Sequence, residues 1–514
     1  MKNHLLELLR KPTVGALALA VAALGWPALT DAQTQPQVQN SFDTQLKRNI
    51  NHVIVIYQEN WSFDALYGHM MGVNGLANAF NTIPQLDKTT SYSSYIYVNP
   101  QPLNGGTDNR FPPANGQPAL PMLPYDLTRF VAATGITGDI VHRFYTEQLE
   151  IDNGVLEAKN GSMDKFASFS DNPGLTMSYI DATNMPEGLL AQQYTICDNF
   201  FHSAYGGSFL NHQFLVAAAA PLWEKPIPTG WVSTYNPTTH ALNDGHLTMD
   251  GNYVVNTTYG EQAPHPSSVP SAQLMPPIND NNPSASDYMP TIGDRLDAAN
   301  ISWKWYSGGW NNALAGHPDP LFQFHHQAFA YYANYAPFRA NGTLDPAHTG
   351  PNAHLQDEAN YFTDIAKGKL PSVVFIKPLG PDNEHPGYAS LLQGQLHVAQ
   401  LVFAIQNSKY WKDTVIIITY DEHGGRWDHV APPVMEDGWG LGTRVPAIIV
   451  SRFTSGGWID STQYETDSIL KLIERRWNLA PVSQRDANPN VGDLSSVFMF
   501  DADHMNDTHV TTGN

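Results

Sequence analysis

Disulfides cannot hold this chain together: its 514 residues include one cysteine, Cys197, and a lone thiol forms no intramolecular bridge. Cys197 lies in Thr195-Ile196-Cys197-Asp198-Asn199-Phe200-Phe201, an apolar setting that suits a buried thiol better than a catalytic one. Basic residues are scarce, 27 Lys and Arg against 48 Asp and Glu for a net charge of −21. No basic run lies outside the N-terminal segment. A nucleic-acid surface is thereby excluded, as is a polybasic dock on anionic lipid, while zwitterionic lipid stays open. Long apolar runs are also missing. The one at residues 14–26 falls short of the ~20 residues that span a bilayer. Lys2, Arg10 and Lys11 precede it, and Thr30-Asp31-Ala32 follows it with small residues where a signal peptidase reads. Residues 1–32 therefore read as a cleavable secretory signal, which predicts a secreted or periplasmic protein with no stable membrane anchor.

What the chain does have is the means to bury a core, with 42% hydrophobic and 11% aromatic residues; that excludes disorder for most of its length. It also has 20 histidines, several beside Asp, Glu, Gly or Asn instead of on apolar faces, which invites a site reading.

Residues 33–48, rich in Gln, Pro and Asn, read as a linker after cleavage. Folded structure then starts abruptly. Continuous β-branched runs at 52–57, 372–376, 414–420 and 445–450 have the pattern of strands buried on both faces of a parallel sheet, with Pro446 tolerable only near a strand start. Between them, Val398, Leu401, Val402 and Ile405 recur at helical spacing. Ile469, Leu472, Ile473 and Trp477 nearly repeat it after a Thr462-x-x-Glu465 capping box. Strand alternating with helix predicts an α/β domain with a mainly parallel sheet. Residues 223–290 differ, being rich in Pro, Asn, Ser and Thr, with turn signals at Asn243-Asp244-Gly245 and Asp250-Gly251-Asn252. They read as a loop- and β-hairpin-rich insertion within a catalytic domain over 49–500, followed by a tail at 501–514. There is no internal repeat.

Two polar clusters follow buried strands directly: Gln58-Glu59-Asn60-Trp61-Ser62-Phe63-Asp64 after the first, and Asp421-Glu422-His423-Gly424-Gly425-Arg426-Trp427-Asp428-His429 after the run at 414–420. In open α/β sheets ligands bind beyond the carboxyl ends of the strands, so these clusters are expected to meet at one sheet edge. Glu59, Asp421 and Glu422 with the amide oxygen of Asn60 make a hard-oxygen set able to hold one divalent cation. Each carboxylate could instead be salt-bridged or cap a helix. In Tyr205-Gly206-Gly207-Ser208-Phe209-Leu210-Asn211-His212 a helix is expected to begin near Ser208. That position favours an anion, as a phosphoserine requires, though a serine there is commonly a plain N-cap. The two glycines would let substrate approach the backbone. His142, His325, His326 and His385 could supply donors to phosphate oxygens and an acid for a leaving alkoxide, or serve as hydrogen-bonded structural histidines.

Taken in order, Glu-Asn-x-Ser-Phe-Asp, Gly-Gly-Ser-Phe-Leu-Asn-His, His-His-Gln-x-Phe, Glu-His-Pro-Gly-Tyr-Ala and Tyr-Asp-Glu-His-Gly-Gly-x-Trp-Asp-His-Val resemble the bacterial acid phosphatase and phospholipase C family of phosphoesterases, within the alkaline phosphatase-like superfamily. The resemblance runs from about residue 50 to about residue 480. It implies a doubly wound sheet flanked by helices, with Glu59, Asn60, Ser208, Asp421 and Glu422 as ligands of one divalent ion, whether Ca, Mg, Mn or Fe. It implies Ser208 as nucleophile, and His142, His325, His326 and His385 as catalytic and substrate-binding residues around the phosphate. Ser208 and His423, where phospholipase members often carry Thr and Asn, look more like the acid phosphatase branch. Family members often have His where this chain has Trp61.

The expected function is an exported acid phosphatase that hydrolyses phosphate monoesters through a phosphoserine, acting on small phosphorylated substrates. An acidic optimum follows if several pocket histidines must be charged. The alternatives are a phospholipase C acting on phosphatidylcholine head groups and a non-catalytic metal- or ligand-binding relative. A lipase needs an apolar rim, for which Trp223, Trp231 and Trp310 are the candidates.

Overall fold

In a computed structural model the described residues are 35–102, 108–152, 161–279 and 288–500; the expected signal segment and the tail at 501–514 lie outside them. Contacts divide the chain into a unit ending at Phe42 and a second from Asp43 onward, and the sheet belongs to the second. The stretch read as a linker instead carries helix α1 (Gln35–Asn49). Its last turns bury Leu46, and Asp43 pairs with Arg475.

The sheet strands are β1 (His52–Gln58), β2 (Thr195–Cys197), β3 (Trp303–Ser307), β4 (Leu355–Asp357), β5 (Val373–Lys377), β6 (Thr414–Tyr420), β7 (Ala447–Ser451) and β8 (Trp458–Asp460). They lie in the order β4-β3-β5-β1-β6-β7-β2-β8. All pairings are parallel except those of β7 with β6 and with β2. The result is a mixed but mainly parallel sheet flanked by helices, an alkaline phosphatase-like doubly wound α/β fold. All of β5, β6 and β7 and all but the first residue of β1 are buried. Covered on both faces, these strands gain from apolar side chains pointing either way, hence the continuous Val and Ile runs. Pro446 immediately precedes β7, where its missing N–H costs no ladder bond. Cys197 is fully buried in β2, and burial pushes its thiol well up.

The helices that matter for the site are α2 (Phe63–Tyr67), α3 (Phe144–Glu150), α4 (Ser208–Ala217), α5 (Leu391–Gln406) and α6 (Asp467–Trp477). Helix α5 buries Val398, Leu401, Val402 and Ile405, the face its periodicity predicts. The capping box expected before α6 is absent: the helix starts at Asp467, and Tyr464–Glu465 form a short strand beside Phe200–Phe201. Glu465 binds the buried Arg485 at 2.9 and 3.0 Å, a charge-assisted pair worth more than a cap.

The described part of the insertion holds a hairpin of Thr234–Asn236 with Ala241–Asn243. Asp244, read as a turn residue, accepts hydrogen bonds from the backbone of Tyr145 and Thr146 at 2.9 and 2.7 Å. It caps α3 from far along the chain. No helix among the described residues is long and apolar enough to cross a membrane.

Candidate active site

Because β1, β5 and β6 run parallel, their carboxyl ends deliver Glu59-Asn60, Lys377 and Asp421-Glu422 to one edge of the sheet. Asn60 adopts a left-handed φ of 66°, a conformation Asn tolerates better than most residues. Helix α4 brings Ser208 to the same edge. Its N-cap is Gly207, whose lack of a side chain leaves the cap unmade. The Ser208 hydroxyl is spent on a different partner, donating to Glu59 Oε2 at 3.2 Å. The approach is set by Gly206 (φ 86°) and Gly207: a Cβ on Gly206 would lie 2.4 Å from Phe144 N, and one on Gly207 2.7 Å from His142 O. The glycines thus admit the His142–Phe144 backbone, where the sequence suggested substrate. Asn211 clamps the loop, accepting from Ala204 N at 3.0 Å and donating to Ala204 O and Gly206 O at 3.0 and 3.2 Å.

The carboxyls at this edge are fully buried. Burial, then the charge of Glu59, raises Asp421 to about 7; burial, then Asp421, pushes Glu422 well up; burial raises Glu59 against the pull of Lys377. Such a set is unstable as three anions without a cation. Asn60 Oδ1, Asp421 Oδ2 and Glu422 Oε1 have no hydrogen-bond partner among the described residues. Orphaned hard oxygens from three residues are what an oxygen-liganded divalent ion would satisfy, so the residues present fit the expected ion. A further group able to hold a metal overlaps them: Glu59, His212 and His326. The protein is metal-binding in this sense, and the identity of the ion is left open.

The histidines divide. His142 lies beside the oxygen cluster, its Nε2 accepting from Asn60 Nδ2 at 3.3 Å and lying 3.6 Å from Glu422 Oε1. Its ring is 5.7 Å from that of His385, which stacks on Tyr388 at 4.4 Å. His325 contacts His326 edge-on at 4.4 Å. His326 itself turns to Glu59, with Nε2 3.1 Å from Oε1, and stacks on His212. Burial, followed by the neighbouring His385 and Lys377, pushes His325 down to about 3, and burial also lowers His385. Burial thus works against a charge on His325 and His385.

Two functional neighbours escaped the sequence reading. Lys377 is buried with its ammonium on Glu59 Oε1; it ends a strand whose predicted run stopped one residue earlier, and the rule that locates Glu59 would have located it. His212 sits one helical turn after Ser208, donates from Nδ1 to Ser208 O at 2.7 Å and lies 3.8 Å from Asp421 Oδ2. Trp61 is structural: buried, donating from Nε1 to Glu384 O at 3.0 Å, with the Arg426 guanidinium over its ring. Asp64, Asp428, His429 and Arg444 form a buried ion-pair network. Arg444 binds Asp428 at 2.9 Å and Asp64 at 3.1 Å, and His429 Nδ1 binds Asp64 at 2.6 Å, tying the two motif loops together. The proposed apolar rim is not formed by Trp223, Trp231 or Trp310. All three are buried, the first two packed together at 4.9 Å.

The site thus sets a serine at a helix N-terminus against carboxylates at the ends of the strands of a doubly wound α/β sheet. The pattern of the Phosphoesterase family matches residues 50–480, and the chain belongs to that family. Phospholipase C B of Mycobacterium tuberculosis is 24% identical over 487 residues, covering 88% of this chain and 78% of that protein. Non-hemolytic phospholipase C of Burkholderia pseudomallei is 26% identical over 533 residues, covering 95% of this chain and 63% of that one. A solved structure of a protein in the alkaline phosphatase superfamily from Vibrio parahaemolyticus aligns over 60% of this chain and 63% of that one, at 10% identity and a TM-score of 0.30. The protein is a hydrolase of the phosphoesterase type, acting on phosphate esters.

Proposed function

We propose that this chain is an exported phospholipase C-type phosphodiesterase in which Ser208 is the nucleophile. The observation that carries the reading is the Ser208 hydroxyl, free of capping duty and hydrogen-bonded to a buried carboxylate at the edge where orphaned oxygens collect. The names of the relatives favour a phosphodiester of the phospholipid class over the monoester first expected. Export rests on the charged and then apolar N-terminal sequence.

Glu59, Asn60, Ser208, Asp421 and Glu422 would hold one divalent ion, which when bound supplies charge stabilisation to the phosphoryl oxygens and lowers the serine pKa. Glu59 accepts the hydroxyl proton across the 3.2 Å contact as Ser208 Oγ bonds to phosphorus. Lys377 and His326 hold Glu59 in place. His142, His325 and His385 face the phosphoryl group; as the P–O bond to the alcohol breaks, one of them, protonated, gives its proton to the departing alkoxide. Water then cleaves the phosphoserine, passing a proton to that imidazole while Glu59 returns its proton to Ser208 Oγ.

The test is turnover of p-nitrophenylphosphorylcholine and p-nitrophenyl phosphate by wild type and Ser208→Ala. The diester should be the better substrate, and the variant should lose about 10³-fold or more in turnover. Near-wild-type turnover by the variant would overturn the nucleophile. Preference for the monoester would instead select the acid phosphatase reading, which Ser208 and His423 favour by resemblance.

A further inference from the structure

Beside the serine site, four fully buried polar side chains have no part in the mechanism: Glu147 and Glu150 on α3, His202, and His423 in the loop after β6. Neither ring nitrogen of His423, nor Nε2 of His202, nor either oxygen of Glu150 has a hydrogen-bond partner among the described residues. Each unsatisfied buried group costs about 1–3 kcal/mol, so a cluster of them in a core calls for a partner that the protein chain does not supply.

Two of these nitrogens converge on Glu147. His202 Nε2 is 3.0 Å from Oε1, and His423 Nδ1 is 3.4 Å from the same oxygen. The two imidazoles stack with centroids 5.4 Å apart and planes 7° from parallel. Around a tetrahedral ion with metal–nitrogen bonds of about 2.0–2.1 Å, neighbouring ligand atoms stand roughly 3.3 Å apart. The far nitrogens are arranged to match. His202 Nδ1 donates to Ala204 O at 2.7 Å, so Nε2 is the nitrogen turned to Glu147. His423 Nε2 faces Glu150 Oε2 at 3.6 Å. Metal-binding histidines commonly direct the outer N–H to a backbone carbonyl or a carboxylate in this way. Glu147 is itself fixed by donors, accepting from Thr443 N and Oγ1 at 2.8 Å and from Gly206 N at 2.6 Å. Glu422 stands between the two clusters, Oε1 3.6 Å from His142 Nε2 and Oε2 3.6 Å from His423 Nδ1.

We propose that Glu147, His202 and His423 form a second metal site, buried and distinct from the oxygen ligands around Ser208, that takes a transition ion of the zinc or iron(II) class. Two imidazoles and a carboxylate suit such an ion, whereas calcium and magnesium require oxygen. Its role is structural: it joins α3, the loop that leads to Ser208 and the loop that carries Asp421 and Glu422. An imidazolium at His202 paired with Glu147 would satisfy that pair but would still leave both nitrogens of His423 empty.

The site is tested on the full chain, produced in zinc- and iron-supplemented medium and purified without chelator. Metal content is measured by plasma mass spectrometry and the ligand shell by X-ray absorption at the metal edge. A transition ion with an imidazole shell is expected, lost from both His202→Gln and His423→Asn. Absence of any imidazole-bound zinc or iron in the wild type, or its survival in both variants, would overturn the proposal. Should neither variant fold, the wild-type spectrum decides, since a shell of oxygen alone excludes the site. Activity is not the readout, so a failure of the Ser208 mechanism is read separately.

Discussion

Replacing Lys377 with Met makes the stability of this protein depend on a divalent ion. Lys377 is fully buried, with its ammonium on Glu59 and 5.2 Å from the centre of the Tyr57 ring; Met keeps most of its stem and removes its charge. With chelator present, the buried Glu59, Asp421 and Glu422 then face one another without a cation. Removing one partner of a buried ion pair costs about 3–5 kcal/mol, and a bound divalent ion restores the missing charge. Wild type keeps Lys377 in both conditions. The loss of unfolding free energy caused by EDTA should therefore be larger in Lys377→Met than in wild type by about 3–5 kcal/mol at neutral pH. The excess should shrink on acidification. Burial already raises Glu59 above its ordinary value, and a group whose pKa rises on folding favours the folded state below its unfolded pKa and loses that contribution as pH rises through the folded one. Urea unfolding with and without EDTA at two pH values measures this. Equal EDTA effects in the two proteins would refute the claim that Lys377 and the ion compensate the same carboxylates.

Beneath the site, Glu187 and Glu384 both approach the Tyr420 hydroxyl, at 3.0 and 2.6 Å, and Glu384 also accepts from Gln58 Nε2 at 2.8 Å. Burial raises Glu187 to about 7 and pushes Glu384 well up. The Glu187 contribution is whole below the ordinary carboxylate range and is lost as pH rises through about 7, with a slope near 1.4 kcal/mol per pH unit for one proton. Glu187→Gln should flatten this fall in urea-unfolding free energy, and an unchanged slope would sink the assignment. Gly206→Ala places a Cβ 2.4 Å from Phe144 N at a φ of 86°. It should cost about 1–3 kcal/mol in unfolding free energy and lower turnover by displacing Ser208 from Glu59; a variant as stable and active as wild type would contradict this account of the loop.

The amino-acid sequence by itself determined the buried strands and the polar residues that follow them. A run such as 414–420 is apolar at every position because both faces of the strand are covered, and Asp421 and Glu422 come next in the chain, so their arrival at the sheet edge is a local consequence. Periodicity was equally sufficient for α5. Only the tertiary structure decided which neighbour each of these residues meets. The antiparallel setting of β7, the Lys377–Glu59 pair, the cap that Asp244 places on α3 and the Arg485–Glu465 pair that displaced an expected capping box all join residues beyond the reach of a helical or strand repeat. Short-range pattern carries no record of such partners. The tryptophans show the same limit: whether Trp223 and Trp231 line a rim or fill a core depends on what packs over them, and here they pack on each other. The histidines show it most sharply. Their spacing marks a site, but only the folded arrangement turns His326 to Glu59, leaves His142 beside His385, and draws His202 and His423 together over Glu147. An imidazole can donate, accept or ligate, and its surroundings select among the three.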